Sequence, residues 1–241
     1  MNKLISEFSI SLLIIFGLSG YAYAIPAPYF GTDTAAGESQ FRSDITSANN
    51  SAEFFEKHFT SSTLDSSLNP FSVTGSNGTV VYVKVSRGGT VQAYDYSISH
   101  SHDGKSTYYM DDYSVSTGGS WATAVDNGVK FEFFSDAAMQ TPTTLNAFAT
   151  FTHDWGTCCI GSNVTPTGTE AGTGLYSVFE DADGNTSTNR VGNITSSISS
   201  DVHFVAEIDD SNSFTSVTLV PNGSGEAFRI GGYVLFSQVG I

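Results

Sequence analysis

The chain has 241 residues, with 9 Lys and Arg against 24 Asp and Glu, and a net charge of −15 at neutral pH. This acidic balance excludes nucleic acid and anionic membranes as partners, because both require clustered basic side chains. Only 14% of the residues are charged, so Ser, Thr, Asn and Gly must cover much of the surface. The length suffices for one all-β domain with a substantial core.

Residues 1–24 have the pattern of a secretory signal peptide. Lys3 supplies positive charge, a mostly apolar run covers 10–18, and Ala22-Tyr23-Ala24 fits a small-residue cleavage site. The apolar run is too short to span a bilayer, and no second run of spanning length follows it. We therefore predict export of residues 25–241 as one mature domain with no membrane span.

The mature part begins with one stretch of helical spacing and then changes to strand spacing. Within 31–50, Phe41 and Ile45 lie four residues apart, which predicts one short N-terminal helix. Beyond it, apolar residues alternate with a period of two in runs separated by Gly, Asn, Asp and Ser clusters. These runs cover 79–85, 90–100, 106–116, 129–133, 145–155, 175–179, 202–208, 214–220 and 232–239.

Many short strands, 24 glycines and the lack of a long helical pattern predict an all-β fold. We expect a single-domain antiparallel β-sandwich that is jelly-roll-like and carries one short N-terminal helix. Because the alternation is regular, each strand should have one buried and one solvated face.

His100 and His102 lie two residues apart and therefore share one face of a predicted strand. That spacing suits a metal ion, with His153 and Asp154 as further ligands. The sequence Ser101 to Lys105 fits a polar hairpin turn equally well. No H-E-x-x-H zinc signature accompanies these histidines, so we favour the hairpin.

Cys158 and Cys159 are the two cysteines of the chain, and they stand side by side between glycines. Adjacent Cα atoms lie about 3.8 Å apart, closer than the about 4.4–6.8 Å of unstrained disulfides. Three interpretations stay open: a vicinal disulfide or thiol pair at a turn, a disulfide to another copy, and metal or redox chemistry. We favour the first. Leu145 to Trp155 should be a central strand that leads into this turn, with Trp155 at least half buried.

Asp181, Asp183 and Asn185 place oxygen ligands at alternate positions around Gly184. This spacing resembles that of calcium-binding loops and makes calcium the candidate cofactor. The loop lacks the bidentate Glu of a complete EF-hand. A plain Asp-Gly hairpin turn between Phe179 and Val191 is the competing interpretation, and we favour it.

Aromatic residues concentrate in the middle of the chain and could form a platform for sugar rings. Half of those in each strand should face the core instead. The candidate ligand-binding residues are Tyr94, Tyr96, Tyr109, Tyr113 and Trp121.

Three segments resemble exported Gram-negative β-sandwich proteins of the PEP-CTERM or choice-of-anchor type. They are "SAEFFEKHF" at 51–59, "FEFFSDAAMQTPTTLNAFATFTHDWGT" at 131–157 and "SFTSVTLVPNGSGEAFRIGGYVLF" at 213–236. The sequence departs from the family pattern where Gly231 and Gly232 replace acidic residues, and no sorting tail follows Ile241. The resemblance implies export from a Gram-negative bacterium and the sandwich fold, and it does not specify an activity.

These observations favour a secreted or cell-surface binding protein, without catalysis, whose partner is an extracellular glycan or matrix. No catalytic residues can be nominated, because no pair of acids stands out and no G-x-S-x-G elbow occurs. A polysaccharide lyase or glycoside hydrolase on a jelly-roll fold is the first alternative. A self-assembling surface or matrix subunit, which requires self-association, is the second.

Overall fold

The computed structural model describes residues 29–31, 34–59, 70–87, 100–102, 105–107, 109–112, 125–126, 128–153, 173–194, 202–209, 213–222 and 228–238. These residues form two packed antiparallel sheets, which we name sheet A and sheet B, and one helix. The predicted all-β sandwich with one N-terminal helix is therefore confirmed.

The strand order was not evident from the sequence. Sheet A contains β1 (Tyr29–Gly31), β2 (Glu53–His58), β7 (Tyr109–Asp112), β9 (Ala147–His153), β12 (Val202–Ile208) and β14 (Phe228–Gln238), in the order β1-β12-β9-β14-β2, with β7 also paired to β14. Sheet B contains β3 (Phe71–Thr74), β4 (Val80–Arg87), β8 (Val129–Phe134), β10 (Thr173–Glu180), β11 (Thr186–Ile194) and β13 (Ser216–Asn222), in the order β11-β10-β13-β8-β4-β3. A separate hairpin pairs β5 (His100–His102) with β6 (Lys105–Thr107). From β8 to β14 the chain passes repeatedly between the two sheets, as in jelly rolls.

Strand β8 shows why the period-two pattern produces the sandwich. Val129, Phe131 and Phe133 are buried between the sheets, while Lys130 and Glu132 between them remain partly exposed. Burying a large apolar side chain contributes about 1.5–3 kcal/mol each, so the pattern fixes which face turns inward. For sheet B the predicted difference between the two strand faces holds along β8.

The helix α1 (Thr34–Ala48) lies over the outer face of sheet A. Phe41 and Ile45 are fully buried against the sheet, as the four-residue spacing predicts. Because α1 covers this face, strand β9 is buried on both sides: Ala149 and Phe151 face the helix, and Phe148 faces the space between the sheets. The expectation of a solvated face for every strand is therefore wrong for sheet A. It is also wrong for β10 and β13 of sheet B, where Tyr176, Val178 and Val220 form a further buried cluster.

The run from Leu145 to Trp155 also departs from expectation. It contains the predicted central strand, since β9 lies between β12 and β14. However, Leu145 lies in the core between the sheets, whereas Phe151 faces α1, so the two do not share a face. The reason is that Leu145 pairs with Phe214 as an isolated bridge before β9 begins, which breaks the alternation. Trp155 lies outside the described residues.

A bulge in β14 places one tyrosine beneath the helix. The pairing of β14 with β9 shifts register between Gly231 and Val234, so Gly232 and Tyr233 are inserted relative to β9. On its other side β14 pairs with β7 up to Gly231 and with β2 from Tyr233 onward. Bulges redirect side chains, and here the side chain of Tyr233 is fully buried in the layer that faces α1.

Among the described residues, no helix combines the length and the apolar character that crossing a membrane requires.

Candidate functional site

Most of the aromatic and cysteine residues singled out by sequence fall outside the described residues. They are Tyr94, Tyr96, Tyr113, Trp121, Cys158 and Cys159. Tyr109 is the exception, because it begins β7, where its backbone pairs with Gly231 of β14. The aromatic platform and the three interpretations of the cysteine pair therefore stay predictions.

The acidic sequence at 181–185 forms the turn between β10 and β11, so the hairpin interpretation is confirmed. The Asp181 N–H bonds the Asn185 carbonyl at 3.0 Å, and Gly184 has φ +82°. The Asp181 carboxylate accepts hydrogen bonds from the backbone N–H groups of Asp183 and Asn185 and from the Asn185 side chain. The side-chain bond from Asn185, followed by these backbone bonds, lowers the pKa of Asp181.

The calcium hypothesis gains no geometric support from this turn. Within the described part of the chain, no three His, Cys, Asp or Glu side chains are grouped to hold a metal ion. The Asp181 oxygens already serve the turn itself. Calcium at Asp181, Asp183 and Asn185 stays a prediction.

The two histidines at 100 and 102 also belong to a hairpin, because β5 and β6 pair from His100 opposite Thr107 to His102 opposite Lys105. His102 is 8% exposed and reaches under α1, where its Nε2 lies 2.6 Å from an oxygen of Glu38. The side chain of His102 therefore contacts a helix carboxylate.

One open cavity is a groove on the outer face of sheet B. It has a volume of about 630 Å³, within the range of small-molecule sites. Its floor includes Glu132 and Phe134 of β8 and Ser216 of β13. One side is formed by Pro142 and Thr144, and the other by the 181–184 turn. We call this cavity the sheet B groove.

Pairing between strands fixes the polar side chains of the groove. Ser216 lies directly between Glu132 and Glu180 in register, so all three share the outer face. Lys130 Nζ lies 2.8 Å from Glu180 Oε2, and Lys84 Nζ lies 2.9 Å from Glu132 Oε2. The hydrogen bond from Lys130 lowers the pKa of Glu180, so this carboxylate stays ionised at neutral pH.

An aromatic surface adjoins these ion pairs. Phe134 is partly exposed at the end of β8, and Tyr82 of β4 lies directly opposite it in register. Directly opposed side chains in antiparallel strands have Cβ atoms about 4.5–5.5 Å apart, so Tyr82 and Phe134 share the outer face as neighbours. The groove therefore combines a flat apolar surface with fixed hydrogen-bond donors and acceptors.

A second cluster of polar side chains lies at the contact between α1 and sheet A, with Glu38 and Tyr233 buried and Arg42 and Glu56 partly exposed, and we call it the helix network. Glu38 accepts a bond from Arg42 Nε at 2.7 Å and from the Tyr233 hydroxyl at 2.9 Å. Arg42 Nη2 also bonds Glu56 at 2.5 Å and the Tyr233 oxygen at 2.7 Å. The imidazole centroid of His102 lies 4.2 Å from the centroid of the tilted Tyr233 ring, and it stacks on the His58 ring at 5.0 Å.

In the helix network, hydrogen bonds and opposite charges compensate the charges of the carboxylates and the guanidinium group. Burial alone would raise the pKa of Glu38, but hydrogen bonds from His102, Arg42 and Tyr233 outweigh it and lower that pKa to about 2. Burial beside Glu38 raises the pKa of Tyr233. The network thus consists of the Arg42 cation, the Glu38 and Glu56 anions and the neutral Tyr233 phenol. It joins α1 to sheet A.

A third polar group, Glu207 of β12, lies between the two sheets and is 6% exposed. Its carboxyl accepts hydrogen bonds from Ser177 of β10 and Asn189 of β11, which are both neutral. Burial, assisted by the charge of Asp209, outweighs those bonds and raises the pKa of Glu207 to about 7. This carboxyl has no counter-ion among its described partners.

The sequence carries local signals for part of these clusters. Glu38 and Arg42 show the helical i, i+4 spacing of an ion pair. The alternation of Lys130 and Glu132 with buried residues indicated an outward face. Their partners Glu180 and Lys84 lie about 50 residues away in sequence and required the strand order, which no local pattern reveals.

Together, these features define an all-β sandwich with α1 over the outer face of sheet A and a groove on the outer face of sheet B. Comparisons with protein-family models, with curated proteins and with solved structures found no significant match. The resemblance to exported Gram-negative β-sandwich proteins therefore stays a prediction.

Proposed function

We propose that the protein is a secreted, non-catalytic glycan-binding protein and that the sheet B groove is its binding site. The observation that carries the proposal is the partly exposed Phe134 beside two fixed Lys–Glu pairs. A sugar presents a flat apolar face and a rim of hydroxyl groups, so it needs a ring to stack on and polar partners of fixed position. The groove supplies both on a rigid sheet.

A hydrolytic role for the same groove is the alternative, because Glu132 and Glu180 face the same side two strands apart. Strands lie about 4.7–4.9 Å apart, so the Cα atoms of this pair are separated by about 10 Å. Inverting glycosidases hold their carboxyl groups about 6.5–9.5 Å apart and need one with a raised pKa. Since the pKa of Glu180 is lowered and each acid is paired with a lysine, the groove favours binding.

The proposal is tested by titrating purified mature protein with a panel of soluble glycans in affinity gels and by calorimetry. Phe134→Ala should weaken binding by about 5- to 10-fold, which corresponds to the loss of one ring contact. Phe54→Ala is the matched control, because Phe54 is a partly buried ring on sheet A, outside the groove. It should leave affinity unchanged.

Two results would contradict the proposal. One is the absence of binding to every glycan of the panel by the folded protein. The other is equal weakening by Phe134→Ala and Phe54→Ala, which would place the binding site elsewhere. If the wild-type protein releases reducing ends from a glycan and Glu180→Gln does not, the hydrolytic alternative is supported in place of simple binding.

A further inference from the structure

The charges around the sheet B groove are unequal. Among the described residues that line it, Lys130 is the one cation, against four acids. The acids are Glu132, Glu180, Asp181 and Asp183. Lys130 is bound to Glu180, and Lys84, just outside the lining, is bound to Glu132. Both lysines are therefore neutralised, and two uncompensated negative charges remain at the 181–184 turn.

These two remaining carboxylates differ in their surroundings. Asp181 is held by hydrogen bonds within the turn, which lower its pKa and keep it ionised. Asp183 is exposed on the rim of the groove. Its own backbone N–H bonds Asp181, so the turn fixes its position relative to the groove floor. The rim of the groove thus offers a fixed anion to an approaching ligand.

The opposite end of the groove is apolar. Phe134 and Pro142 lie there and pair as an isolated bridge. A ligand that fills the groove would place one unit against Phe134 and another beside Asp183. A sugar ring with an ammonium group on the neighbouring unit matches this arrangement. A ring with a carboxylate or sulfate meets like charge at the rim and in the field of a chain with net charge −15.

We infer that the sheet B groove selects glycans that carry amino groups over neutral glycans, and neutral glycans over those that carry carboxylate or sulfate groups. This inference rests on the proposed glycan-binding function and adds the class of ligand. The ranking follows from the charge of the rim, whereas the apolar contact at Phe134 is common to all three classes.

Calorimetry of the mature protein with three tetrasaccharides tests the ranking. The probes are the tetramers of glucosamine, N-acetylglucosamine and galacturonic acid, at about pH 6, where the amines are protonated and the uronates ionised. The glucosamine tetramer should bind about tenfold more tightly than its N-acetylated counterpart, and the galacturonate tetramer most weakly. At about 0.5 M NaCl the difference between the first two should shrink, because salt screens exposed charges.

A pair of variants separates the rim charge from the total charge. Asp183→Asn should reduce the preference for the glucosamine tetramer over the N-acetylated tetramer to about twofold. Asp126→Asn removes the same unit of charge from an exposed position that does not line the groove, and it should leave the preference intact. Both positions are exposed, so equal melting temperatures are expected and should be verified.

The inference fails if the N-acetylated or galacturonate tetramer binds as tightly as the glucosamine tetramer. It also fails if Asp126→Asn reduces the preference as much as Asp183→Asn, because the effect would then belong to the whole molecule. Binding to other glycans of the panel without any binding to the glucosamine tetramer overturns this inference but leaves the proposed glycan-binding function standing. Absence of binding to every glycan overturns the proposed function with it.

Discussion

The outer faces of the two sheets use similar side chains for different purposes. On sheet A, Arg42 bonds Glu38 and Glu56 beside the Tyr233 ring, and α1 covers Glu38 and Tyr233 while Arg42 and Glu56 stay partly exposed. On sheet B, Lys84 and Lys130 bond Glu132 and Glu180 beside Phe134, and no described element covers them. Charged pairs next to aromatic rings therefore do not identify a binding site by themselves. Their exposure decides whether a ligand can reach them.

The largest effect that separates the two faces should come from removing the cation of the helix network. Arg42→Met leaves Glu38 and Glu56 close together without their common partner. Breaking a buried ion pair by removing one member costs about 3–5 kcal/mol, and the partial exposure of Arg42 reduces this to about 2–3 kcal/mol. Urea denaturation at neutral pH measures the free energy of unfolding.

The matched control is Lys84→Met on the open face. Its side chain is 42% exposed and its partner Glu132 is 24% exposed. Exposed ion pairs contribute about 0–1 kcal/mol, so this variant should unfold at nearly the wild-type urea concentration. An equal loss of stability in both variants would contradict the distinction between a covered and an open face.

A second comparison concerns two carboxyls that are both less than 10% exposed and have opposite pKa shifts. Glu38 has a cation beside it and a pKa of about 2, whereas Glu207 has two neutral donors and a pKa of about 7. Burial disfavours the charged form in both, and the partner decides the outcome. Ionised Glu38 should therefore stabilise the fold at pH values above the pKa of Glu38 in the unfolded chain. Protonated Glu207 should stabilise the fold at pH values below the pKa of Glu207 in the unfolded chain.

Glu207→Gln tests this second comparison. The folded pKa of Glu207, about 7, lies above its model value of 4.5. Its contribution to stability is therefore complete below about pH 4.5 and is lost as the pH rises through 7. The loss amounts to about 3 kcal/mol. The amide cannot ionise, so the variant should be more stable than wild type at about pH 8 and lose that advantage at about pH 5.

Unfolding free energies measured across this pH range give the outcome. A constant difference between Glu207→Gln and wild type would show that the carboxyl titrates alike in the folded and unfolded chains. The nearby Asp209 remains in both proteins, so it does not account for a change in slope.

The sequence predicted the elements whose apolar pattern is strong. Strand β12 begins and ends at the predicted residues, and α1 was predicted from Phe41 and Ile45. Strands β1, β2 and β3 were missed. Strands β1 and β3 have three and four residues, and β2 contains two adjacent Phe residues that interrupt the alternation. Strand β11 is mostly Ser, Thr and Asn, and only the hairpin turn before it indicated its position.

The candidate site was less predictable than the fold, because it depends on pairing between distant strands. The register places Ser216 between Glu132 and Glu180, three residues that lie on different strands and share no local motif. The covering of sheet A by α1 was equally invisible, since the helix pattern shows which face it buries but not against what. Local periodicity therefore predicted faces, and the strand order decided which faces meet.

The smallest expected effect compares two similar hairpin turns, of which only one borders the sheet B groove. Gly78 and Gly184 have φ of +90° and +82°, and each N–H bonds a carbonyl three residues earlier. A Cβ at either position meets no atom within 4 Å, so Ala at each should cost about 1 kcal/mol through backbone strain alone. Gly184 lines the groove, so Gly184→Ala should also weaken glycan binding by displacing the turn that carries Asp183.

The control variant Gly78→Ala should have the same melting temperature as Gly184→Ala, and it should bind glycans with wild-type affinity. Weaker binding in both variants would show that stability, and not the geometry of the groove, limits binding. Unchanged affinity in Gly184→Ala would remove the turn from the binding site.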